Sequence, residues 1–192
     1  AGRDVRVGHG ASMEIACLGW GSLIWNPREL PLRSRWHRDG PLLPVEFARH
    51  SGGQRVTLVL VRVTQPVPTF WALLDVPDLA AAREVLRQRE GPNVALRDIA
   101  FWLASDSRVG DVAGVIGEWA QQHDLDGAVW TALPPKWNDR NEVIPTPEQV
   151  IEFLRQQGAG SEAERYVRKT PAQVRTPYRI RIESELGWTP WD

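Results

Sequence analysis

The sequence predicts a single α+β domain, with strands concentrated in the first half of the chain and helices in the second. The 192 residues are 42% hydrophobic and 24% charged, which is the composition of one globular domain with a substantial core. Alternating apolar segments come early, whereas capped and amphipathic helical segments come late. No long linker, repeat or low-complexity tract divides the two halves. We therefore expect one domain over residues 13–192.

Residues 1–12 precede this domain and show neither periodicity nor an apolar block. We interpret them as a remnant of an expression vector rather than as a signal peptide. Without a signal segment, and with Cys17 as the only cysteine, a cytoplasmic protein is the expected class. No apolar run reaches the roughly 18–20 residues of a membrane span. The net charge of −1 argues against binding nucleic acid through bulk charge.

The predicted strands follow the apolar segments of the chain. The run from Glu14 to Leu18 stops at Gly19 and predicts a buried strand that leads into a turn. The following stretch, residues 27–44, is rich in arginine and proline and predicts a loop. Further strands are predicted at Val45 to Arg49, Arg55 to Val63, Thr69 to Val76, Ala95 to Ala104, Ala128 to Thr131 and Tyr178 to Ile182.

Four helices are predicted from apolar spacing and from capping residues. One runs from about Asp78 to Glu90, and another covers Val112 to Gln122, where apolar residues recur at helical spacing. A threonine, a proline and a glutamine at residues 146, 147 and 149 predict a third helix start. A capping box at Ser161 opens the fourth helix, which is expected to end near Arg168.

The first segment with chemical potential is the turn that follows the first strand. Its two glycines, Gly19 and Gly21, allow several backbone N–H groups to point at one spot and bind a carboxylate or phosphate. A dinucleotide fingerprint is excluded because Ile24 stands where its third glycine belongs, and a nucleotide phosphate loop is excluded because no Gly-Lys-Ser/Thr follows. An ordinary glycine-containing β-turn remains the alternative at this point.

The second such segment is the end of the first predicted helix. Leu79, Ala82 and Leu86 form its apolar face, and Glu90 continues that face four residues further on. Burial and the helix dipole both raise the pKa of a carboxyl group in this place, which suits a residue that accepts and returns a proton. The alternative is a helix-terminal glutamate paired on the surface with Arg87 or another arginine.

The tryptophans and the histidines give weaker signals. Trp36 and Trp137 lie in predicted loops and are candidates for ligand contact. The basic run that surrounds Trp36 has the composition of a single-strand nucleic-acid binder, although a solvated loop is the favoured interpretation. No histidine spacing predicts a metal site. Six tryptophans are predicted to be core residues: Trp20, Trp25, Trp71, Trp102, Trp119 and Trp130.

Two of these segments together resemble the gamma-glutamylcyclotransferase-like superfamily. Its members carry a Tyr-Gly-Ser turn after the first strand, where this chain has Trp20-Gly21-Ser22 followed by Leu23. They also carry a glutamate, often within Arg-Glu-Gly, on a later helix, as at Glu90 here. The glutathione-directed branch is nearest. The resemblance extends over residues 14 to about 104.

The resemblance implies a mixed β-barrel with surrounding helices and an enzyme that needs no metal and no organic cofactor. It implies release of 5-oxoproline from a gamma-glutamyl amide or peptide by intramolecular amine attack, with Glu90 as the acid/base. The substrate-binding residues would be Gly19, Trp20, Gly21, Ser22 and Leu23, with the substrate α-carboxylate held by the backbone N–H groups of the last three.

Two departures from the family pattern keep a second class of function open. Trp20 replaces the tyrosine of the turn, and no tyrosine lies between Val94 and Phe101, where some members carry one. A non-catalytic module that binds a small ligand or a protein on the same fold is therefore the alternative prediction.

Overall fold

A computed structural model describes residues 12–62, 64–105 and 111–191, and it confirms the α+β class. Residues 1–11 of the predicted vector remnant lie outside the described residues. The strands are β1 (Ile15–Gly19), β2 (Leu42–Leu43), β3 (Val45–Ser51), β4 (Arg55–Leu60), β5 (Val67–Pro68), β6 (Phe70–Leu73), β7 (Ile99–Leu103), β8 (Gly127–Thr131), β9 (Lys136–Trp137) and β10 (Arg140–Asn141). The helices are α1 (Leu79–Glu90), α2 (Val112–Gln122), α3 (Pro147–Gln157), α4 (Glu162–Lys169) and α5 (Pro177–Leu186).

The first four-stranded sheet has the order β6-β1-β8-β7. Strand β1 pairs antiparallel with β6 and parallel with β8, so the sheet is mixed. Both faces of β1 are buried because its side chains alternate between two cores. Ile15 and Cys17 share one core with Ala82 and Leu86 of α1. Leu18 faces the other core. This arrangement places the end of β1 close to the end of α1.

The second four-stranded sheet has the order β10-β9-β3-β4, and β2 and β5 form a separate two-stranded sheet. The main unit of this second four-stranded sheet is the antiparallel hairpin of β3 and β4. Leu18 of the first sheet and Phe47 of the second belong to one hydrophobic core, so the two sheets are packed into the same domain. Among the described strands, hydrogen bonding does not close either sheet into a barrel.

Helices α3, α4 and α5 cover the second sheet. The buried carboxylate of Glu46 on β3 anchors α5, since it accepts hydrogen bonds from the Thr176 hydroxyl and the Tyr178 N–H group. Helix α4 packs on β4, where the Tyr166 hydroxyl accepts a hydrogen bond from the Leu58 N–H group at 3.2 Å. None of the described helices has the length and apolarity that a membrane crossing requires.

The predicted last strand is wrong, because Tyr178 to Ile182 lies within helix α5. The segment Tyr-Arg-Ile-Arg-Ile alternates like a strand. However, Thr176 caps the helix by accepting a hydrogen bond from the Arg179 N–H group, and Pro177 occupies the first turn. The same threonine–proline pair correctly predicted the start of α3 at Thr146. Capping outweighs a short alternation here.

The other strand predictions hold with changed bounds. The strand predicted from Ala95 is shorter, since a 3₁₀ turn occupies Leu96–Asp98 before β7 begins. The predicted loop of residues 27–44 contains the short strand β2. The predicted end of a strand at Val63 lies outside the described residues.

Candidate active site

A cavity of about 710 Å³ is lined by residues from both four-stranded sheets. The first wall comprises the turn after β1, the end of α1 and the end of β8. The second wall comprises the β3–β4 hairpin and one face of α4. Trp20, Gly21, Ser22, Leu23 and Glu90 all line the cavity. Two segments that lie far apart in the sequence therefore contribute to one site.

The turn after β1 presents free backbone donors to this cavity. Ile24 donates its N–H group to the Gly21 carbonyl at 3.0 Å, and Asn26 donates to the Ser22 carbonyl at 2.8 Å. Within the described ranges, the N–H groups of Gly21, Ser22 and Leu23 make no hydrogen bond. Three successive unpaired amides at a cavity wall are suited to bind an anion.

Glu90 is the last residue of α1, which is capped by the Asp78 side chain at its start and followed by Gly91 as its C-cap. The Glu90 side chain is 17% exposed. Burial raises its pKa, while the neighbouring Arg89 acts in the opposite direction. Arg87 pairs with Glu84, and Glu90 pairs with the buried Arg89, so the ion pair that Glu90 forms does not lie on the surface. A carboxyl group of raised pKa in a cavity is suited to proton transfer.

Arg89 connects the end of α1 to the turn. Its side chain is 7% exposed, and its Nη1 donates to Glu90 Oε1 at 3.2 Å. Its Nη2 donates to the Ser22 hydroxyl at 3.1 Å and to the Asn26 carbonyl at 2.6 Å. The guanidinium therefore fixes the carboxylate relative to the turn. We did not predict this role from the sequence, because a helix-terminal arginine next to a glutamate normally lies in solvent.

Tyr166 is the second functional candidate that the sequence did not indicate. It projects from α4 into the cavity lining, where its ring is buried. Burial raises the pKa of Tyr166 to about 12, so the phenol is neutral near pH 7. Its oxygen already accepts from the Leu58 N–H group, which leaves the hydroxyl proton for an acceptor in the cavity. No local spacing links Tyr166 to the turn, since 145 residues separate it from Gly21.

Three predicted contact residues lie elsewhere. Gly19 is absent from the cavity lining and packs against the ring of Trp36, because a Cβ at this glycine would lie 3.0 Å from that ring. Trp36 and Trp137 do not line this cavity either. Trp137 is a buried residue of β9, not a loop residue. Of the six tryptophans predicted as core, five are buried and Trp25 is partly buried at the cavity wall.

The cavity lining carries an excess of positive charge. Six basic side chains line it against two carboxylates, Glu90 and Glu162; the basic residues are Arg28, Arg49, Arg55, Arg89, Arg165 and Lys169. Such a lining attracts anionic ligands. In the part of the chain that the structure describes, no group of histidine, cysteine and acidic residues is suited to hold a metal ion.

Fold and site together define an α+β protein with a cationic cavity, a largely buried carboxylate and a turn with free amides. Comparison with protein-family models, curated proteins and solved structures finds no match to the chain. The function is therefore argued from the residues of the cavity.

The close approach of Gly21 to Tyr166 gives a direct test of the site geometry. A Cβ at Gly21 would clash with the Tyr166 hydroxyl oxygen, whereas the nearest ring carbon is 3.4 Å away. We expect Gly21→Ala to lower the free energy of unfolding by about 1–3 kcal/mol, the usual effect of overpacking. Adding Tyr166→Phe should restore part of this loss, because the clashing atom is removed. Urea unfolding of the three variants measures both effects, and equal stability of wild type and Gly21→Ala would contradict the contact.

Proposed function

We propose that this protein is a gamma-glutamylcyclotransferase-like enzyme that releases 5-oxoproline from a gamma-glutamyl amide or peptide. The observation that carries the proposal is that Glu90 and the Gly21–Leu23 turn line one cavity. The proposal also assigns the family's fold to this chain. The two four-stranded sheets would then correspond to the mixed barrel of the family.

The substrate's α-carboxylate would bind to the free N–H groups of Gly21, Ser22 and Leu23. Arg28, which lines the same wall, would add positive charge. The α-ammonium would then lie toward Glu90, whose carboxylate Arg89 holds next to the turn. This placement folds the substrate so that its amine and its γ-carbonyl come together, and holding a tethered nucleophile in position supplies much of the rate enhancement of such reactions.

The reaction requires one group that accepts and then returns a proton. The Glu90 carboxylate takes a proton from the α-ammonium, and the freed amine attacks the γ-carbonyl carbon. The carbon–nitrogen bond to the leaving amine then breaks as Glu90 returns the proton to that nitrogen. The Glu90 carboxylate next takes the second proton from the attacking nitrogen, which becomes the lactam N–H group, and passes it to the released amine. The products are 5-oxoproline and the protonated amine, and this proton balance requires neither a metal nor an organic cofactor.

Tyr166 supports the proposal at the position where the turn departs from the family pattern. Trp20 has no hydroxyl, and its indole N–H group donates to the Leu58 carbonyl at 3.3 Å within the core. The Tyr166 hydroxyl reaches the turn from α4 and lies beside Gly21. We infer that it provides the phenol that the turn itself lacks, as a hydrogen-bond donor to the bound substrate.

Incubation with a panel of gamma-glutamyl amino acids, gamma-glutamyl peptides and simple gamma-glutamyl amides tests the proposal. We expect chromatography to detect 5-oxoproline together with an equal amount of the released amine from at least one member. Absence of turnover across the panel would contradict the enzyme. If the same compounds raised the unfolding temperature without turnover, the non-catalytic binding module would take its place.

A further inference from the structure

The second wall of the cavity carries a cluster of polar side chains that the proposed reaction does not use. In the register of β3 and β4, Arg49 lies directly opposite Thr57, and Ser51 lies directly opposite Arg55. Directly opposed residues of an antiparallel pair share one face, and so do residues two apart on one strand. All four side chains therefore lie on the same face of the hairpin, and all four residues line the cavity.

Helix α4 extends this polar wall. Glu162, Arg165, Tyr166 and Lys169 line the cavity and are spaced three, four and seven residues from the first, so they share one helical face. Arg165 forms an ion pair with Glu162, which neutralises both side chains. Lys169 is exposed and lies one turn beyond Arg165 on the same face.

Three cations of this wall form no ion pair with an acidic side chain of the described residues. Arg49 donates to the Pro134 carbonyl at 2.7 Å, and Arg55 donates to the Gly52 carbonyl at 2.8 Å. Among the described residues, neither of them nor Lys169 forms an ion pair. Burial lowers the pKa of Arg49, and the Asp98 carboxylate, which forms no ion pair with it, counteracts this effect only in part, so Arg49 is a partly desolvated cation without a directly bonded counter-ion. Such a group is unfavourable unless an anion binds to it.

A buried hydroxyl points to the same conclusion. Ser51 Oγ has no hydrogen-bond partner among the described residues, although Ser51 lies opposite Arg55 in the register and lines the cavity. Buried polar atoms are normally hydrogen-bonded. An unpaired hydroxyl between unpaired cations is therefore suited to receive a polar oxygen of a ligand.

We propose that Arg49, Ser51, Arg55 and Lys169 form a second subsite that binds a doubly charged anionic group on the distal part of the substrate. The inference rests on the proposed function, because it assigns this group to the leaving amine. The charges of the first wall are otherwise matched: Arg89 pairs with Glu90, and Arg28 is available for the α-carboxylate. A single carboxylate would compensate one of the three positive charges of the second wall, whereas a phosphate or two carboxylates would compensate two of them.

Binding and turnover of four gamma-glutamyl compounds test this subsite. Their leaving groups are glycinamide, glycine, aspartate and phosphoserine, which carry increasing negative charge. Binding is measured by calorimetry with Glu90→Gln protein, and turnover with wild type. We expect aspartate or phosphoserine to improve affinity over glycine about tenfold at low ionic strength, with the advantage shrinking as salt is added. A preference for phosphoserine would identify a phosphate ligand, and a preference for aspartate a dicarboxylate.

Three single variants locate the effect. Lys169→Gln, at an exposed position, and Arg49→Gln should each reduce severalfold the advantage in affinity of the aspartate and phosphoserine compounds over the glycinamide compound. Arg97→Gln, an exposed arginine outside the cavity lining, is the matched control and should leave this advantage unchanged. Thermal unfolding checks that each variant is folded.

The outcomes separate the subsite from the reaction. Charge-dependent binding without turnover by wild type would retain the subsite and contradict the cyclotransferase. Turnover of all four compounds with equal affinity would retain the enzyme and overturn the subsite. Equal losses in Lys169→Gln and Arg97→Gln would also overturn it, because the effect would then come from overall charge.

Discussion

Replacing Glu90 by glutamine is expected to lower the rate of 5-oxoproline formation by about 10²–10⁴-fold, the usual contribution of a positioned general acid–base group. Glutamine retains the size of the side chain and a polar oxygen near Arg89, but it cannot accept a proton at neutral pH. Affinity for the substrate should fall much less than the rate, because the backbone N–H groups of the turn still hold the α-carboxylate although the α-ammonium loses its charged neighbour. Initial rates and calorimetric binding measure the two effects separately.

Glu84→Gln provides the matched control for this loss. Glu84 lies on the same helix, pairs with Arg87 and is absent from the cavity lining. Its replacement should leave both rate and affinity close to those of wild type, because surface ion pairs contribute little. Activity of Glu90→Gln equal to that of wild type would exclude Glu90 as the proton-transfer group.

The sequence could predict the parts of this site that depend on local patterns. The apolar run before Gly19 predicts the strand and its turn, and the spacing of Ala82, Leu86 and Glu90 predicts that the carboxyl group faces inward. Structure places both at one cavity wall. In each case the evidence lies within a few residues of the predicted feature.

The second wall could not be predicted in this way. Arg49 and Arg55 lie on the same face of the hairpin only because of the β3–β4 register, which places Thr57 opposite Arg49 and Ser51 opposite Arg55. Tyr166 reaches Gly21 only because α4 packs on β4. Both arrangements depend on contacts between distant segments, and neither apolar periodicity nor capping residues report such contacts. The burial of Arg89 is a third case, since three acceptors in the turn and α1 make it possible.

Replacing Arg89 by methionine is expected to combine a loss of stability with a shift of the activity profile. Methionine fills similar space but removes the donors to Glu90, Ser22 and Asn26. Removing one partner of a buried ion pair costs about 3–5 kcal/mol. Because Arg89 counteracts the effect of burial on Glu90, the pKa of Glu90 should rise further. The rising, acid-side limb of kcat/KM, which follows ionisation of Glu90, should therefore move to higher pH.

The sign of the accompanying stability change follows from the same pKa. In the variant, Glu90 has a higher pKa in the folded state than in the unfolded state, so the folded state binds its proton more tightly. Its stability should fall as the pH rises through the unfolded pKa of glutamate and should level off above the folded one. The deficit relative to wild type is thus smaller in acid than at neutral pH. Urea unfolding across this range measures it.

Two comparisons make the interpretation specific to the Arg89–Glu90 pair. Arg87→Met removes an arginine from the same helix whose partner is Glu84, and it should alter neither the activity profile nor the pH dependence of stability. Adding Glu90→Gln to Arg89→Met removes the isolated carboxylate, so the double variant should be more stable at neutral pH than Arg89→Met alone. Strict additivity of the two substitutions would contradict the pairing, and an unmoved acid limb would mean that Arg89 does not control the ionisation of Glu90.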